Sequence, residues 1–184
     1  MKSVTGFFLR AKHWQVFVLL WGTYLAGEMA IVSALPETSG TIENPLKAGL
    51  FAEVVMLPAL VCLMAWLWSM GSFLFLIAKP TVRLSIHSFQ FAIIFLMLYL
   101  LTALPFFLSR NSTVQTILFP AHLLCMACLI YCFYFVSKSL VIAEKGEPIT
   151  FNDYALSLLL LFFSLIGIWL IQPRINRLYA NSGA

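Results

Sequence analysis

Glu28, Glu53 and His122 are the residues of this chain best suited to handle a proton or a cation. Glu28 is the only charged residue between His13 and Pro36. In a helix through that stretch it lies roughly 10 Å below the far end, at 1.5 Å per residue. An ionisable group at such a depth is costly and turns toward a bundle interior, a cavity or a partner. Two roles are open to it. It handles a proton or cation, or it is a structural hydrogen-bonding residue with Tyr24, one turn back, as its partner. Glu53 and His122 fall near the same level, at the outer ends of the second and fourth of five spans. Two carboxylates and an imidazole brought together there could bind a divalent cation or pass a proton. Glu53 also suits a solvated helix start, where the helix dipole favours a carboxylate.

Cys125-Met126-Ala127-Cys128 has the spacing of a redox pair. Such chemistry needs thiols at an aqueous boundary, and membrane enzymes that use it carry a second pair. Here Cys128 and Cys132 run deeper into one apolar helix, and Cys62 stands alone in another. Cys125, Cys128 and Cys132 instead share a narrow arc with Ala121, as Gly22, Ala26 and Ala30 do on the first helix. Close backbone approach along small-residue seams is how helices associate in lipid, so both seams read as packing within the bundle or between copies. Glu28 points nearly opposite the Gly22–Ala26–Ala30 seam, which places contacts on two sides of that helix. No catalytic, metal or cofactor site is expected, and an enzyme acting through Glu53, His122 and Arg110 is the least favoured reading.

The elements that must position these residues follow from charge. Charged residues make up 10% of the 184 positions and apolar ones 62%, whereas a soluble domain carries about a quarter charged. No Asp, Glu, Lys or Arg occurs in 54–78, 84–109, 111–137 or 154–173. Each run reaches the roughly 20 residues that cross a hydrocarbon core. Continuous apolarity excludes the alternation of a transmembrane barrel. The sequence therefore predicts one all-α integral membrane domain over 1–184, a bundle of five transmembrane helices at about 14–35, 50–78, 88–108, 117–137 and 154–172. The second is longer than a bilayer needs, so either it is tilted or it leaves the membrane near Trp68–Gly71 and follows the interface.

With the N-terminus cytoplasmic, Lys2, Arg10, Lys12, Lys79, Arg83, Lys138 and Lys145 lie inside, against Lys47, Arg110, Arg174 and Arg177 outside. The positive-inside rule favours that orientation. The alternative is four spans and a re-entrant last helix, bent near Ser164 and Gly167. It returns Arg174 and Arg177 to the inside and satisfies the rule better. In the five-span arrangement Arg174 and Arg177 are outer interface anchors, and Ala143–Asp153 is an inner loop suited to a cytosolic partner. The net charge of +4 is membrane-proximal and forms no nucleic-acid surface.

Three segments, FFLRAKHWQVFVLL at 7–20, PAHLLCMACLIYCFYFVSKSL at 120–140 and FNDYALSLLLLFFSLIGIWLIQPRIN at 151–176, resemble a family of small uncharacterised bacterial polytopic membrane proteins. The ending IGIW-x-IQPRIN is the most specific element. That family often has a proline where Ser164 or Leu165 stands. The resemblance implies the architecture and transfers no active site. The expectation is a non-enzymatic multi-spanning component of the inner (plasma) membrane. As a scaffold, sensor or effector subunit it forms a homo-oligomer or anchors a membrane or cytosolic protein. The alternative is a small oligomeric ion or proton channel or transporter using Glu28.

Overall fold

A computed structural model describes residues 4–34, 45–78, 84–102, 112–147 and 149–182, and the described residues are almost entirely helical. The helices are α1 (Val4–Arg10), α2 (His13–Phe17), a π-helical turn (Val18–Gly22), α3 (Thr23–Ala34), α4 (Pro45–Ala78), α5 (Ile86–Thr102), α6 (Ser112–Lys145), α7 (Phe151–Phe162) and α8 (Ser164–Asn181). Three stretches are long and apolar enough to cross a membrane, His13–Ser33, Val54–Ala78 and Ser112–Lys145. The helices Ile86–Thr102 and Phe151–Phe162 are apolar but shorter.

The two longest helices, α4 and α6, pack on each other and carry the rest. α5 lies against both, running antiparallel to α6. Phe89 stacks on Phe135 at 4.4 Å between ring centres, and Tyr99 meets His122 further along. Gly71 makes room for the first of these contacts, because a Cβ there would fall 2.2 Å from the Phe89 ring. α3 packs on α4 across Gly27, where a Cβ would come within 3.1 Å of the Met56 sulfur. The densest packing gathers where Trp66, Leu67, Met70, Leu74, Phe135 and Leu140 are buried with Ile168, Ile171 and Ile175. α4 therefore continues through Trp68–Gly71 as a packed core helix to Ala78. Gly146, in the left-handed region at φ +72°, closes α6 by donating its N–H to the Ile142 carbonyl, as glycine does at a helix end.

The single helix expected over 154–172 does not form. The chain breaks at Phe163, whose ψ of 60° leaves the helical basin, and α8 turns back along α7. Gly167 permits this turn. A Cβ there would fall 1.7 Å from the Leu160 carbonyl oxygen, so only glycine lets the two backbones meet. Further from the turn, Arg174 of α8 reaches Ser157 of α7, which fixes the pair as an antiparallel hairpin. At 12 residues, α7 is about 18 Å long at 1.5 Å per residue, well short of the roughly 30 Å of a hydrocarbon core. Pro173 does not end the last helix, which runs on to Asn181.

Candidate functional site

The most polar buried site is one that the sequence did not single out. Gln172, fully buried on α8, accepts a hydrogen bond from the Trp66 indole N–H at 2.9 Å. Its amide nitrogen donates to the carbonyls of Phe8 at 2.7 Å and Ala11 at 3.1 Å, and lies 2.9 Å from the Asn176 side-chain oxygen. Asn176, one turn on, donates to the same Ala11 carbonyl at 3.0 Å. Helix ends leave carbonyls without intrahelical partners, and two amides of α8 cap the end of α1. Arg10 adds a hydrogen bond to the Tyr179 hydroxyl at 3.2 Å. The first ordered helix, the core of α4 and the last helix are thereby locked at one point.

A second junction lies beside it. Arg174 grips Glu144 of α6 with two nitrogens, Nε at 2.8 Å, and donates through Nη1 to Ser157 of α7 at 2.9 Å. Arg177 lies 3.9 Å from the same carboxylate. Two-pronged guanidinium–carboxylate pairs are among the stronger charge-assisted contacts. This pairing also corrects the separation of Arg174 and Arg177 from the Ala143–Asp153 segment. Glu144 and Arg174 cannot face opposite sides of a membrane and touch. Moreover, Ala143–Lys145 belongs to α6, so the connecting loop is shorter than expected. At its far end the Asp153 carboxylate accepts from the Thr150 N–H and hydroxyl, each at 2.7 Å, and pairs with Lys145. The Lys145 ammonium first, then the two Thr150 donors, hold the Asp153 carboxyl down to about 2. The carboxylate in turn raises the Lys145 ammonium above its usual range.

The residues expected to handle ions do not share one interface. Glu28 of α3 is half-buried, with Tyr24 one turn back on the same helix. Tyr24 lines a cavity of about 170 Å³ with Trp21, Ala59, Leu63 and Ser164 at the tip of the α7–α8 hairpin. His122 stands on α6, its Nδ1 2.9 Å from the Tyr99 hydroxyl of α5. α4 lies between these two settings, packing on α3 at one side and on α5 and α6 at the other. The Glu53 side chain and Arg110 lie outside the described residues. Among the described residues no group of three His, Cys, Asp or Glu could hold a metal ion.

Cys62, Cys125, Cys128 and Cys132 are all free. Cys125 and Cys132 are buried in the core, and Ala121, Cys128 and Cys62 pack against it. The Gly22–Ala26–Ala30 seam has no such contact among the described residues. A Cβ on Gly22 would meet only Val18, at 3.6 Å, and Ala26 is exposed. Gly22 and Ala26 line an open groove of about 620 Å³ with Phe7, Trp14 and Val18.

The one available signal for the Gln172 junction was the pair of amides four residues apart, Gln172 and Asn176, on one face of the last helix. The fold and these junctions define an all-helical bundle protein with helices fit to cross a membrane. No family model, curated protein or solved structure matches the chain.

Proposed function

We propose that this chain is a non-enzymatic membrane component with four spans and a re-entrant C-terminal hairpin, presenting a rigid cytoplasmic platform to a protein partner. The observation that carries it is the double polar junction. Gln172 and Arg174 of one helix hold Phe8, Ala11, Trp66, Glu144 and Ser157. With the N-terminus inside, both chain ends and the α6–α7 turn share the cytoplasmic side. Arg174 and Arg177 then join the seven inner Lys and Arg residues, and Lys47 and Arg110 remain outside, as the positive-inside rule favours. A scaffold needs a surface whose parts do not move against one another. Here the exposed Arg177, Glu147 and Lys145 rise from groups tied to three different helices.

Topology is tested by labelling single cysteines at positions 3, 42, 147 and 182 in a chain lacking the native four. Labelling of 3, 147 and 182 from the cytoplasmic side, and of 42 from outside, is expected. A label on 182 from outside overturns the re-entrant hairpin. Partner anchoring is tested by cross-linking from 147 and 177 in cells, followed by mass spectrometry. A platform function predicts a discrete adduct lost with Arg177→Glu, and the absence of any adduct refutes it.

A second reading, an ion or proton pathway through an oligomer, draws on Glu28, Tyr24 and the cavity that reaches Ser164. Glu28→Gln separates the two. A pathway loses ion flux in reconstituted vesicles while assembly persists, and a platform keeps its adduct unchanged.

A further inference from the structure

We infer that the cleft between α5 and α6 is a binding site for one anionic phospholipid. The cleft holds about 570 Å³, within the range of sites for small ligands. Its floor is built of small residues, Ala92 of α5 with Ala127 and Cys128 of α6, and Phe91 forms a wall. The helices are pressed together below by Phe89 and Phe135, so the cleft is a fixed feature of the packing. Such a slot takes an acyl chain.

The polar groups lie at one end only. His87 and Ser88 occupy the first turn of α5, and Tyr131 of α6 lines the cleft with them. From Tyr131 the same side of α6 continues toward its Lys145 end through Tyr134, with ring centres 6.3 Å apart, to Lys138. The Lys138 ammonium donates to the Tyr134 hydroxyl at 2.9 Å. An ammonium has three donors and no acceptor, so two N–H groups are left for a ligand. Among the described residues no carboxylate pairs with Lys138.

From Cys128 to Lys138 the helix surface changes from thiol and methyl to phenol, a second phenol and a cation. Ten residues cover about 15 Å. A phospholipid changes in the same order, from acyl chain to ester carbonyls to phosphate. Phenol hydroxyls donate to the esters, and the ammonium pairs with the phosphate. A choline headgroup would place its own cation beside Lys138, so a lipid of net negative charge is preferred. The proposed topology sets only the leaflet, which is the inner one.

Native mass spectrometry of the detergent-purified full chain, loaded with phosphatidylglycerol or phosphatidylcholine, tests the inference. One phosphatidylglycerol per chain is expected to survive activation where phosphatidylcholine does not. Lys138→Met keeps the side-chain volume and should weaken retention about fivefold, the value of one surface cation toward anionic lipid. Ala127→Phe fills the slot from an exposed position and should abolish retention at unchanged lipid-free melting temperature. Equal retention of both lipids overturns the inference, as does wild-type retention by Ala127→Phe. Thermal protection by inorganic phosphate alone also overturns it, since the chain would then contribute nothing. If cysteine labelling reverses the topology while retention persists, the leaflet falls and the site stands.

Discussion

Replacing Gln172 by Leu tests whether the polar junction, more than apolar burial, holds the termini to the bundle. Leu matches the buried volume but makes none of the four contacts. The Trp66 indole N–H and the Phe8 carbonyl lose their side-chain partner, whereas Ala11 keeps its bond from Asn176. Each orphaned buried group costs about 1–3 kcal/mol. The end of α1 can shift a little toward solvent, which draws the sum toward the lower half, about 3 kcal/mol. For a chain of this length that is a fall in melting temperature of roughly 6–12 °C. The assay is thermal unfolding in mild detergent, read by tryptophan fluorescence, with proteolysis of the N-terminal segment in parallel. Trp66→Phe removes the other partner, and the double variant should show a coupling of about 0.5–3 kcal/mol. Gln172→Glu should be worse than Leu at neutral pH, because it sets a carboxylate oxygen against two carbonyls. If Gln172→Leu melts within about 2 °C of the parent and the coupling is zero, the junction does not hold the ends and the reasoning fails.

Glu144→Gln should cost about 2 kcal/mol by leaving the half-buried Arg174 without its counter-charge, and the exchange Glu144→Arg with Arg174→Glu should recover part of it. Unchanged melting in Glu144→Gln would remove that junction from the account. Gly167→Ala should cost about 3 kcal/mol or prevent assembly, since the added carbon overpacks rigid backbone, whereas Gly22→Ala should be tolerated. Equal melting temperatures for those two variants would refute the close hairpin. Asp153 has a folded-state carboxyl held to about 2, below the usual value near 4. Its contribution is therefore complete above about pH 4 and lost as pH falls toward 2. For Lys145, raised by the same contact, the contribution is complete below the usual lysine range and lost as pH rises through it. Protection against amide exchange at Thr150–Tyr154, measured against the intrinsic rate at each pH, should fall in acid in the parent and should be low throughout that range in Asp153→Asn.

Charge-free runs made α4, α5 and α6 legible, because a membrane-fit helix is defined by what it lacks. The same logic hid the break at Phe163. The run 154–173 is continuously apolar, and a close backbone crossing at Leu160 and Gly167 leaves no mark in hydropathy. Ser164 and Gly167 offered only a place to bend. Glu28 and Tyr24 were readable as a pair because they are one turn apart on one helix. Gln172 was not, since its partners Phe8, Ala11 and Trp66 come from distant segments. The small-residue seam shows the limit most plainly. Gly22, Ala26 and Ala30 have the right period, and among the described residues α3 meets α4 through Gly27, which leaves a second copy open as the seam's neighbour. Period shows that a face can pack, and only the neighbour decides which face does. α1 lay outside the expected helices, its seven residues too few for a periodic signal.

A hairpin that turns inside a membrane must satisfy the backbone groups at its tip, since hydrocarbon offers them no partner. At this tip Phe163 has partners for both its backbone groups. The Phe163 N–H donates to the Leu159 carbonyl at 3.0 Å, and the Phe163 carbonyl accepts from the N–H groups of Ile166 at 3.0 Å and Gly167 at 2.8 Å. The first helix thus ends on the residue whose carbonyl starts the second. The tip side chains Phe162 and Phe163 are exposed and apolar, which suits lipid and would be wasteful in water. The arms end differently, in Ser157, Gln172, Arg174 and Asn176, where the other helices supply partners. Burial of apolar surface gives helices in lipid little reason to associate. An apolar tip favours lipid over water, and polar arm ends favour the water boundary. On the four-span reading, the contacts of Gln172 and Arg174 keep the arm ends of the hairpin at that boundary.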